Sequence, residues 1–321
     1  MRHVPVLLKE VIESLQLKSG SNVVDCTLGD AGHAEEILKR IAPGGKLLGI
    51  DADSESMLRA KNYLHKYDDQ VVLIRDNFNK LKEIVKSEKF CKVAGVLMDL
   101  GWSSPQFEER KRGFSFKKMD ETLDMRYDTH LDCEHVAKDP PLSIDGKPLY
   151  GRCTASEHVN YHSEDKLAEI FKQYGEEKFA KEIAKLIVET RKEDPLENVG
   201  DLVDIVLSVY RQKLKTDKEI PWVGGTHPAT KVFQALRIVV NKELDVLEEA
   251  LPQAVEVLEA GGRLAVISFH SLEDRIVKHY FKSQKGKSLV IITKKPIIAS
   301  EEEVKNNPRA RSAKLRVIEK L

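Results

Sequence analysis

The sequence lacks the patterns of a membrane or secreted protein. No apolar run approaches the roughly 20 residues that a membrane-spanning helix needs. The start of the chain holds an apolar stretch that is too short for a secretion signal and that ends in charge. The four cysteines form neither a CxxC pair nor a dense framework, which suits a reducing compartment. We therefore predict a cytoplasmic protein that does not bind membranes.

Net charge is also lacking. The 52 Lys and Arg balance 52 Asp and Glu, whereas nucleic-acid-binding proteins usually carry a basic excess. The charge is segregated, however. From Lys278 to the C-terminus twelve basic residues stand against four acidic ones, a net excess of eight positive charges. This segment is either an ordinary solvated surface or a surface that attracts a polyanion.

Internal repeats and low-complexity tracts are absent too, and the chain shows a clear alternation instead. Short apolar runs alternate with helical patterns over the first hundred residues and again after residue 223, which predicts an α/β fold with a parallel sheet. The predicted strands are 22–28, 46–51, 71–75, 93–100, 263–269, 289–293 and 315–319. The predicted helices between them are 34–41, 54–66, 79–87, 229–251 and 272–282.

The alternation stops between residues 107 and 223. This stretch contains no convincing strand, but it holds helical patterns at 165–174, 176–191 and 199–213. The simplest interpretation is one doubly wound sheet of about seven strands, interrupted by an inserted all-helical domain. We predict that 1–106 and 224–321 form the sheet domain and that the insertion, 107–223, recognises the substrate.

The insertion also holds residue types that bind metals. Cys133, His135 and Cys153 lie in or beside a loop rich in Pro, Gly and Asp, and His158 and His162 stand one helical turn apart. No pair of cysteines has zinc-finger spacing, so we predict no metal site.

The first predicted strand runs into the segment 25–33, DCTLGDAGH, and a helix follows. Glycines in such a strand-to-helix turn let the backbone approach a ligand, which the helix N-terminus then faces. The dinucleotide fingerprint G-x-G-x-x-G is not met, because only Gly29 and Gly32 are present. A lone G-x-x-G is weak evidence, since many tight turns use it.

The second predicted strand ends at Asp51, about 20 residues beyond the turn, where a carboxylate can accept hydrogen bonds from ribose hydroxyls. The alternative is that Asp51 caps the next helix, although Asp53 or Ser54 can serve as that cap. A turn without a third glycine or a phosphate cradle fits a nucleoside better than NAD, and S-adenosylmethionine is the commonest such cofactor. Phe78, after the third strand, either flanks an adenine or belongs to the core.

Polar residues follow the fourth predicted strand, in the segment 98–106, MDLGWSSPQ. Ligands of open α/β sheets lie outside the carboxyl ends of the strands, so this segment emerges where a reaction would occur. Asp99, or the hydroxyls of Ser103 and Ser104, can accept a proton from a weakly nucleophilic amine such as N4 of cytosine. Trp102 can stack on a base extruded from its helix. The alternative is that the two serines cap a turn.

A second polar cluster, 268–275, follows the fifth predicted strand. Ser271 and Asp274 have capping-box spacing, which explains them structurally. His270 has no such structural explanation, so it is a candidate site residue. The preceding helix carries a polar stripe that either is solvated or faces a cleft or RNA. This stripe comprises Thr230, Gln234, Arg237 and Asn241.

Ten segments of the chain together resemble one known family. They are HVPVLLKE (3–10), DCTLGDAGH (25–33), DLGWSSPQ (99–106), RGFSF (112–116), LDMR (123–126), YGEE (174–177), HPAT (227–230), FQALRI (233–238), SFHSLEDR (268–275) and NPRARSAKLR (307–316). The family is that of the bacterial small-subunit ribosomal RNA cytosine-N4 methyltransferases, known as RsmH or MraW. The resemblance spans nearly the whole chain.

This resemblance implies methyl transfer from S-adenosyl-L-methionine to N4 of a cytidine near the decoding centre of 16S rRNA, within the assembling small ribosomal subunit. It implies a class I methyltransferase domain with a Rossmann-like sheet and an all-helical insertion. The implied cofactor-binding residues are Gly29, Ala31, Gly32, His33, Asp51, Phe78, Asp99 and Gln106. The candidates for catalysis are Asp99, Ser103, Ser104 and His270.

The chain departs from the family pattern at three places. Asp30 and Ala31 stand in a turn that is usually richer in glycine, and an alanine restricts the backbone if that position needs a positive φ. We expect this difference to act on cofactor affinity. Trp102 stands where a small aliphatic residue is common, and the stretch 129–152 is longer than usual.

Three alternatives compete with this interpretation. The first is a methyltransferase for DNA cytosine or for another RNA, and the second is an inactive ribosome-assembly factor that binds RNA. The third, a nicotinamide oxidoreductase, is disfavoured by the missing pyrophosphate turn. The sequence fits either a monomer or a homodimer.

Overall fold

In the computed structural model of this chain, residues 4–100, 111–127, 154–216 and 227–321 are described. The chain divides into two compact units, one made of 1–103 with 244–321 and the other of 104–243. The sequence predicts the second boundary at residue 224 instead. The difference is the helix that ends at Asn241, which packs on helices of the insertion and therefore belongs with them.

The first unit contains a seven-stranded sheet, the α/β fold that the sequence predicts. Its strands are β1 (Asn22–Asp25), β2 (Lys46–Asp51), β3 (Val71–Arg75), β4 (Val93–Asp99), β5 (Leu258–Ser268), β6 (Leu289–Ile291) and β7 (Lys314–Lys320). Their order is β3-β2-β1-β4-β5-β7-β6. Strands β1 to β5 pair in parallel, and β7 runs antiparallel to both of its neighbours.

The described residues also form helices, and both units contain them. The helices are α1 (Leu8–Leu15), α2 (Gly32–Ile41), α3 (Ser54–Leu64), α4 (Leu81–Ser87), α5 (Ala155–Tyr161), α6 (Glu164–Gly175), α7 (Ala180–Thr190), α8 (Val199–Leu214), α9 (Thr230–Asn241), α10 (Glu243–Val257), α11 (Ser271–Gln284) and α12 (Glu301–Asn306). None of the helices in this described part is both long and apolar enough to cross a bilayer.

Helices cover both faces of the sheet. Successive residues of a strand point to opposite faces, so Val23 packs in a core with α1, α2 and α3, whereas Val24 packs in a core with α4, α10 and α11. Both side chains are completely buried. A parallel sheet needs this double cover, and it explains why its strands read as continuous apolar runs.

The prediction of one helix over 229–251 is wrong. The chain forms α9 and α10 instead, because Lys242 between them has a left-handed backbone with φ 49°. Helix α10 then continues past the predicted end, with Pro252 inside it. A proline removes the hydrogen bond to the carbonyl four residues earlier, here that of the exposed Glu248, which water can satisfy.

In the second unit the described helices lie within 155–214 and 230–241, whereas 111–127 forms turns and pairs with the helical part through an isolated bridge between Thr122 and Asn198. The helix predicted at 176–191 starts later, at Ala180. Glu176 (φ 49°) ends α6 in a left-handed conformation, and the Glu177 carboxylate accepts the Phe179 N–H at 2.9 Å. These two glutamates therefore make the connection between α6 and α7.

Candidate active site

The turn between β1 and α2 contains two residues with left-handed backbone, Gly29 (φ 51°) and Ala31 (φ 59°). The Ala31 N–H closes the turn by donating to the Leu28 carbonyl at 2.8 Å. The Gly29 N–H donates to the Asp51 carboxylate, also at 2.8 Å. The glycine turn and the acid that ends β2, which lie 22 residues apart in sequence, are therefore joined directly.

Asp51 and Asp53 divide the two roles that the sequence left open. Asp53 caps α3, since its carboxylate accepts the Ser56 N–H at 2.7 Å. Asp51 accepts the Asp53 N–H at 2.8 Å with its other oxygen. Asp51 is therefore not the helix cap, and contact of its carboxylate with a ribose stays a prediction.

The first helical residues of α2 lie under the amino-terminal segment. A side chain at Gly32 would come within 3.2 Å of the Pro5 ring, so glycine leaves just enough room for that proline. His33 Nε2 lies 3.0 Å from the Val6 carbonyl, and because a carbonyl only accepts, this nitrogen carries the proton. The Leu7 N–H in turn donates to Glu303 of α12 at 2.7 Å.

Carboxylates from β1 and β4 meet at the same edge of the sheet. Burial, together with a smaller contribution from the nearby Asp51 charge, raises the pKa of Asp25 to about 7, although hydrogen bonds from Thr27 act to lower it. The Thr27 hydroxyl accepts the Asp99 N–H at 2.7 Å. Asp99 Oδ2 lies 3.6 Å from His33 Nδ1. The structure thus brings the predicted residues Asp99 and His33 together.

The third strand contributes Phe78 to this edge. The residue opens a short 3₁₀ helix, Phe78–Lys80, which Asn77 caps by accepting the Asn79 N–H at 3.1 Å. Phe78 is partly buried and packs against the core on the α4 side of the sheet. Both interpretations of Phe78 remain compatible with this position, so its cofactor contact stays a prediction.

The predicted capping box of Ser271 and Asp274 is wrong by one residue. His270 is the cap of α11, since its ring accepts the Glu273 N–H at 3.4 Å and Glu273 accepts the His270 N–H at 3.2 Å. Asp274 pairs with Arg316 instead, at 2.7 Å and 3.2 Å. His270 therefore has the structural role that its sequence context did not indicate, and its part in catalysis stays a prediction.

The polar stripe on α9 has partners inside its own unit. Gln234 donates to the Tyr174 carbonyl at 2.9 Å, and Arg237 forms a two-pronged pair with Glu243 at 2.9 Å and 3.1 Å. The Asn241 amide donates to the Met125 carbonyl at 2.8 Å. These contacts attach α9 to neighbouring segments, so the stripe is not simply solvated.

Several predicted residues lie outside the described part of the chain. Ser103, Ser104 and Gln106 are among them, as are Trp102 and the whole stretch 129–152. His158 and His162 are described, with 2.8 Å between a nitrogen of each ring. Burial lowers the pKa of His158 to about 3 and that of His162 to about 4, so both rings are neutral at physiological pH.

Asp30, one of the two departures from the family turn, has a partner on the next helix. Its carboxylate accepts a hydrogen bond from Arg59 Nε at 2.8 Å.

Asp25 and Thr27 were not chosen as site residues from the sequence, although both stand in the segment 25–33. The signal that marks them is their position at the end of the first strand, immediately before the glycine turn.

This sheet order, with an antiparallel β7, and a glycine turn joined to the acid that ends β2 define a class I methyltransferase. The sequence model of the MraW methylase family matches residues 1–139 and 149–321. The chain therefore belongs to the MraW methylase family.

Known relatives match along the whole chain. It is 42% identical to the ribosomal RNA small subunit methyltransferase H of Clostridioides difficile, over 99% of both chains. It is also 42% identical to the protein of that name from Brevibacillus brevis, over 99% of this chain and 98% of the relative. Among solved structures, it is similar to an rRNA methylase from Clostridium thermocellum, with 13% identity, a TM-score of 0.45 and full coverage of both chains.

Family and fold identify the cofactor as S-adenosylmethionine, as the sequence predicted. The residues at the site fit this group. The turn at Gly29 and the Asp51 carboxylate, which are joined by a hydrogen bond, would hold the nucleoside part of this group. When bound, S-adenosylmethionine supplies an electrophilic methyl group on its sulfonium.

Proposed function

We propose that this chain methylates N4 of a specific cytidine in 16S rRNA, near the decoding centre of the small ribosomal subunit. The observation that carries the proposal is the position of Asp99 at the end of β4. Its backbone N–H donates to the hydroxyl of Thr27, which lies in the segment that leads into the glycine turn. Support for the substrate comes from relatives at 42% identity that carry the name of small-subunit ribosomal RNA methyltransferases.

The chemistry requires an acceptor beside the amine. The lone pair of the cytosine N4 is delocalised into the ring, so the amine is a weak nucleophile. A carboxylate that accepts one N4 proton favours the attacking geometry and removes positive charge as the new bond forms. Asp99 provides that carboxylate, and its backbone is held in place by Thr27.

His33 lies beside Asp99 and can accept a proton from it. Its Nε2 donates to the Val6 carbonyl, so in the neutral ring Nδ1 is the unprotonated nitrogen. This Nδ1 lies 3.6 Å from Asp99 Oδ2. A proton that Asp99 takes from the amine therefore has a nearby acceptor in His33, while the ring is kept in orientation by the amino-terminal segment.

The decisive measurement is methyl transfer from labelled S-adenosylmethionine to small subunits that lack the modification, with the product nucleoside identified by mass spectrometry. We expect N4-methylcytidine at one decoding-centre position. A different methylated nucleoside would favour another RNA substrate. Absence of transfer together with absence of cofactor binding would favour the inactive assembly factor.

The variant Asp99→Ala tests the role of the carboxylate. We expect the rate at saturating cofactor to fall by at least about 100-fold, the usual minimum for a lost general base. The circular dichroism spectrum should not change. Asp69→Ala, which removes an exposed acid from the 3₁₀ helix His65–Gln70, is the matched control and should keep full activity. Near-wild-type transfer by Asp99→Ala would remove Asp99 from the mechanism.

A further inference from the structure

A cavity of about 310 Å³ lies at the carboxyl end of β5, apart from the glycine turn. Phe269, His270 and Ser271 form one side of it, where β5 passes into α11. Ile298, Arg311 and Lys314 form the other side, in the segments that lead into β7. Of these residues, His270 also caps α11 and is a candidate for catalysis, whereas Arg311 and Lys314 have no role described above.

The register of the sheet places the cavity on the same edge as the candidate active site. Ser268 at the end of β5 pairs with Lys314 at the start of β7, and Ile267 pairs with Asp99 of β4. Neighbouring strands lie about 4.8 Å apart, so three strand spacings separate β1 from β7, or about 14 Å. An extended chain that reaches the active site can therefore also reach the cavity.

Two cations line the cavity, Arg311 and Lys314, and the two acids in the first turn of α11 are already engaged. Arg311 is exposed and forms no hydrogen bond or ion pair with the residues that the structure describes. Lys314 Nζ lies 3.6 Å from Asp274, but Arg316 already holds that carboxylate with two hydrogen bonds. Glu273 turns inward, since its carboxylate accepts the Phe269 N–H at 2.7 Å. The residues that line the cavity therefore include two cations and no acid.

Two further features suit an anion that carries an apolar part. The amino-terminal end of α11, a helix of 14 residues, faces this edge and adds the positive end of its dipole to the two cations. Ile298 is 66% exposed, although it is a large aliphatic residue, and Phe269 is partly buried beside it. A nucleotide offers both a phosphate for the cations and a sugar or base for this apolar wall.

We propose that this cavity binds one nucleotide of the RNA substrate through its phosphate, with Arg311 and Lys314 as the phosphate ligands. The inference rests on the proposed function for the identity of the RNA. It also gives the basic excess after Lys278 a physical role, because the cavity lies in the segment that carries this excess. The chain as a whole has no net charge, so a local cluster must supply the attraction.

The test is binding of the full-length protein to small subunits and to a naked decoding-region rRNA hairpin, measured at several salt concentrations. Arg311→Ala should raise Kd about fivefold, as expected for loss of one charge-assisted contact. The slope of log K against log salt should decrease by about one. The Kd of Arg311→Lys should lie between the Kd of wild type and that of Arg311→Ala, because lysine keeps the charge and loses the planar fork of arginine. Affinity for S-adenosylmethionine should stay the same.

Arg40→Ala is the matched control. Arg40 is an exposed arginine in the last turn of α2, which ends just before β2 begins and thus at the amino edge of the sheet. Its loss should leave Kd and salt slope unchanged. Equal effects of the two arginines would overturn the proposal in favour of diffuse attraction. Wild-type affinity of Arg311→Ala would also overturn it, as would an effect on intact subunits without an effect on naked RNA.

The wild-type transfer assay separates this inference from the proposed function. If wild-type protein produces no N4-methylcytidine but Arg311→Ala still weakens RNA binding, the proposed function fails and the nucleotide site stands. If wild-type protein produces N4-methylcytidine and Arg311→Ala binds RNA normally, the proposed function stands and the nucleotide site fails.

Discussion

At the residue scale, Ala31 shows an L-amino acid in a conformation that usually belongs to glycine. Its φ of 59° costs roughly 1–2 kcal/mol relative to a right-handed backbone. Its methyl group is completely buried in the core beside α2, which returns roughly 0.8 kcal/mol. The departure from the glycine-rich family turn is therefore tolerated by packing, and the turn keeps the required shape.

This balance predicts effects of very different size for two substitutions at one position. Ala31→Gly should change the free energy of unfolding by less than about 1 kcal/mol, because relief of strain is offset by the lost methyl and by a more flexible unfolded chain. Ala31→Val should destabilise by about 3 kcal/mol or more, since a β-branched residue is strained there and has no room. Urea unfolding of both variants checks this, and a Val variant as stable as wild type would contradict it.

Asp25 predicts a pH dependence of stability. Its pKa is raised from 3.8 to about 7 in the folded chain, so between these values the folded protein holds a proton that the unfolded protein releases. Stability from this group therefore falls as pH rises from about 4 to 7, by a few kcal/mol, at about 1.4 kcal/mol per pKa unit. Asp25→Asn removes this dependence.

Urea unfolding of wild type and Asp25→Asn at pH 5 and pH 8 measures the effect. The variant should gain stability relative to wild type at pH 8 and much less at pH 5. The comparison cancels the contribution of other groups, including the neutral pair His158 and His162, whose lowered pKa values act in the opposite direction. The same difference between the two proteins at both pH values would exclude a raised Asp25 pKa.

At the element scale, the interior of helices and strands followed the sequence pattern, whereas several of their ends did not. The strands 46–51 and 71–75 were predicted with their observed bounds. The single helix predicted at 229–251 broke at Lys242, and the cap of α11 moved from Ser271 to His270. Apolar periodicity indicates which face is buried, but it says little about a single residue that has a positive φ or that caps a helix in an unusual way.

The break at Lys242 gives a prediction about helix ends. Lys242→Gly should stabilise the protein by about 0.5–1 kcal/mol, because glycine adopts a φ of 49° without the strain of a side chain. The control Lys185→Gly replaces an exposed lysine in the middle of α7 and should destabilise by about 1 kcal/mol. Thermal unfolding of both variants gives the comparison. Destabilisation of similar size in both would show that Lys242 carries no backbone strain.

At the scale of the whole molecule, the zero net charge excludes neither RNA binding nor any other association. What matters is where the charge lies: the excess of eight positive charges from Lys278 to the C-terminus belongs to the sheet unit and includes Arg311 and Lys314. The division of the chain is likewise a property of packing. Helix α9 lies on the insertion side of the boundary because it packs on α6, a contact that no local pattern reveals.

The sequence by itself determined the α/β class, the seven strands, the helical insertion and the family, because apolar periodicity and long ordered motifs are local properties of the chain. Only the tertiary structure decided which polar groups meet. Hydrogen bonds join Gly29 to Asp51, Thr27 to Asp99 and Asp274 to Arg316. These partners lie 22, 72 and 42 residues apart, and strand order and register bring them to one edge of the sheet. A hydrogen bond depends on tenths of an ångström across such distances, so its partners follow from the assembled sheet and not from spacing in the chain.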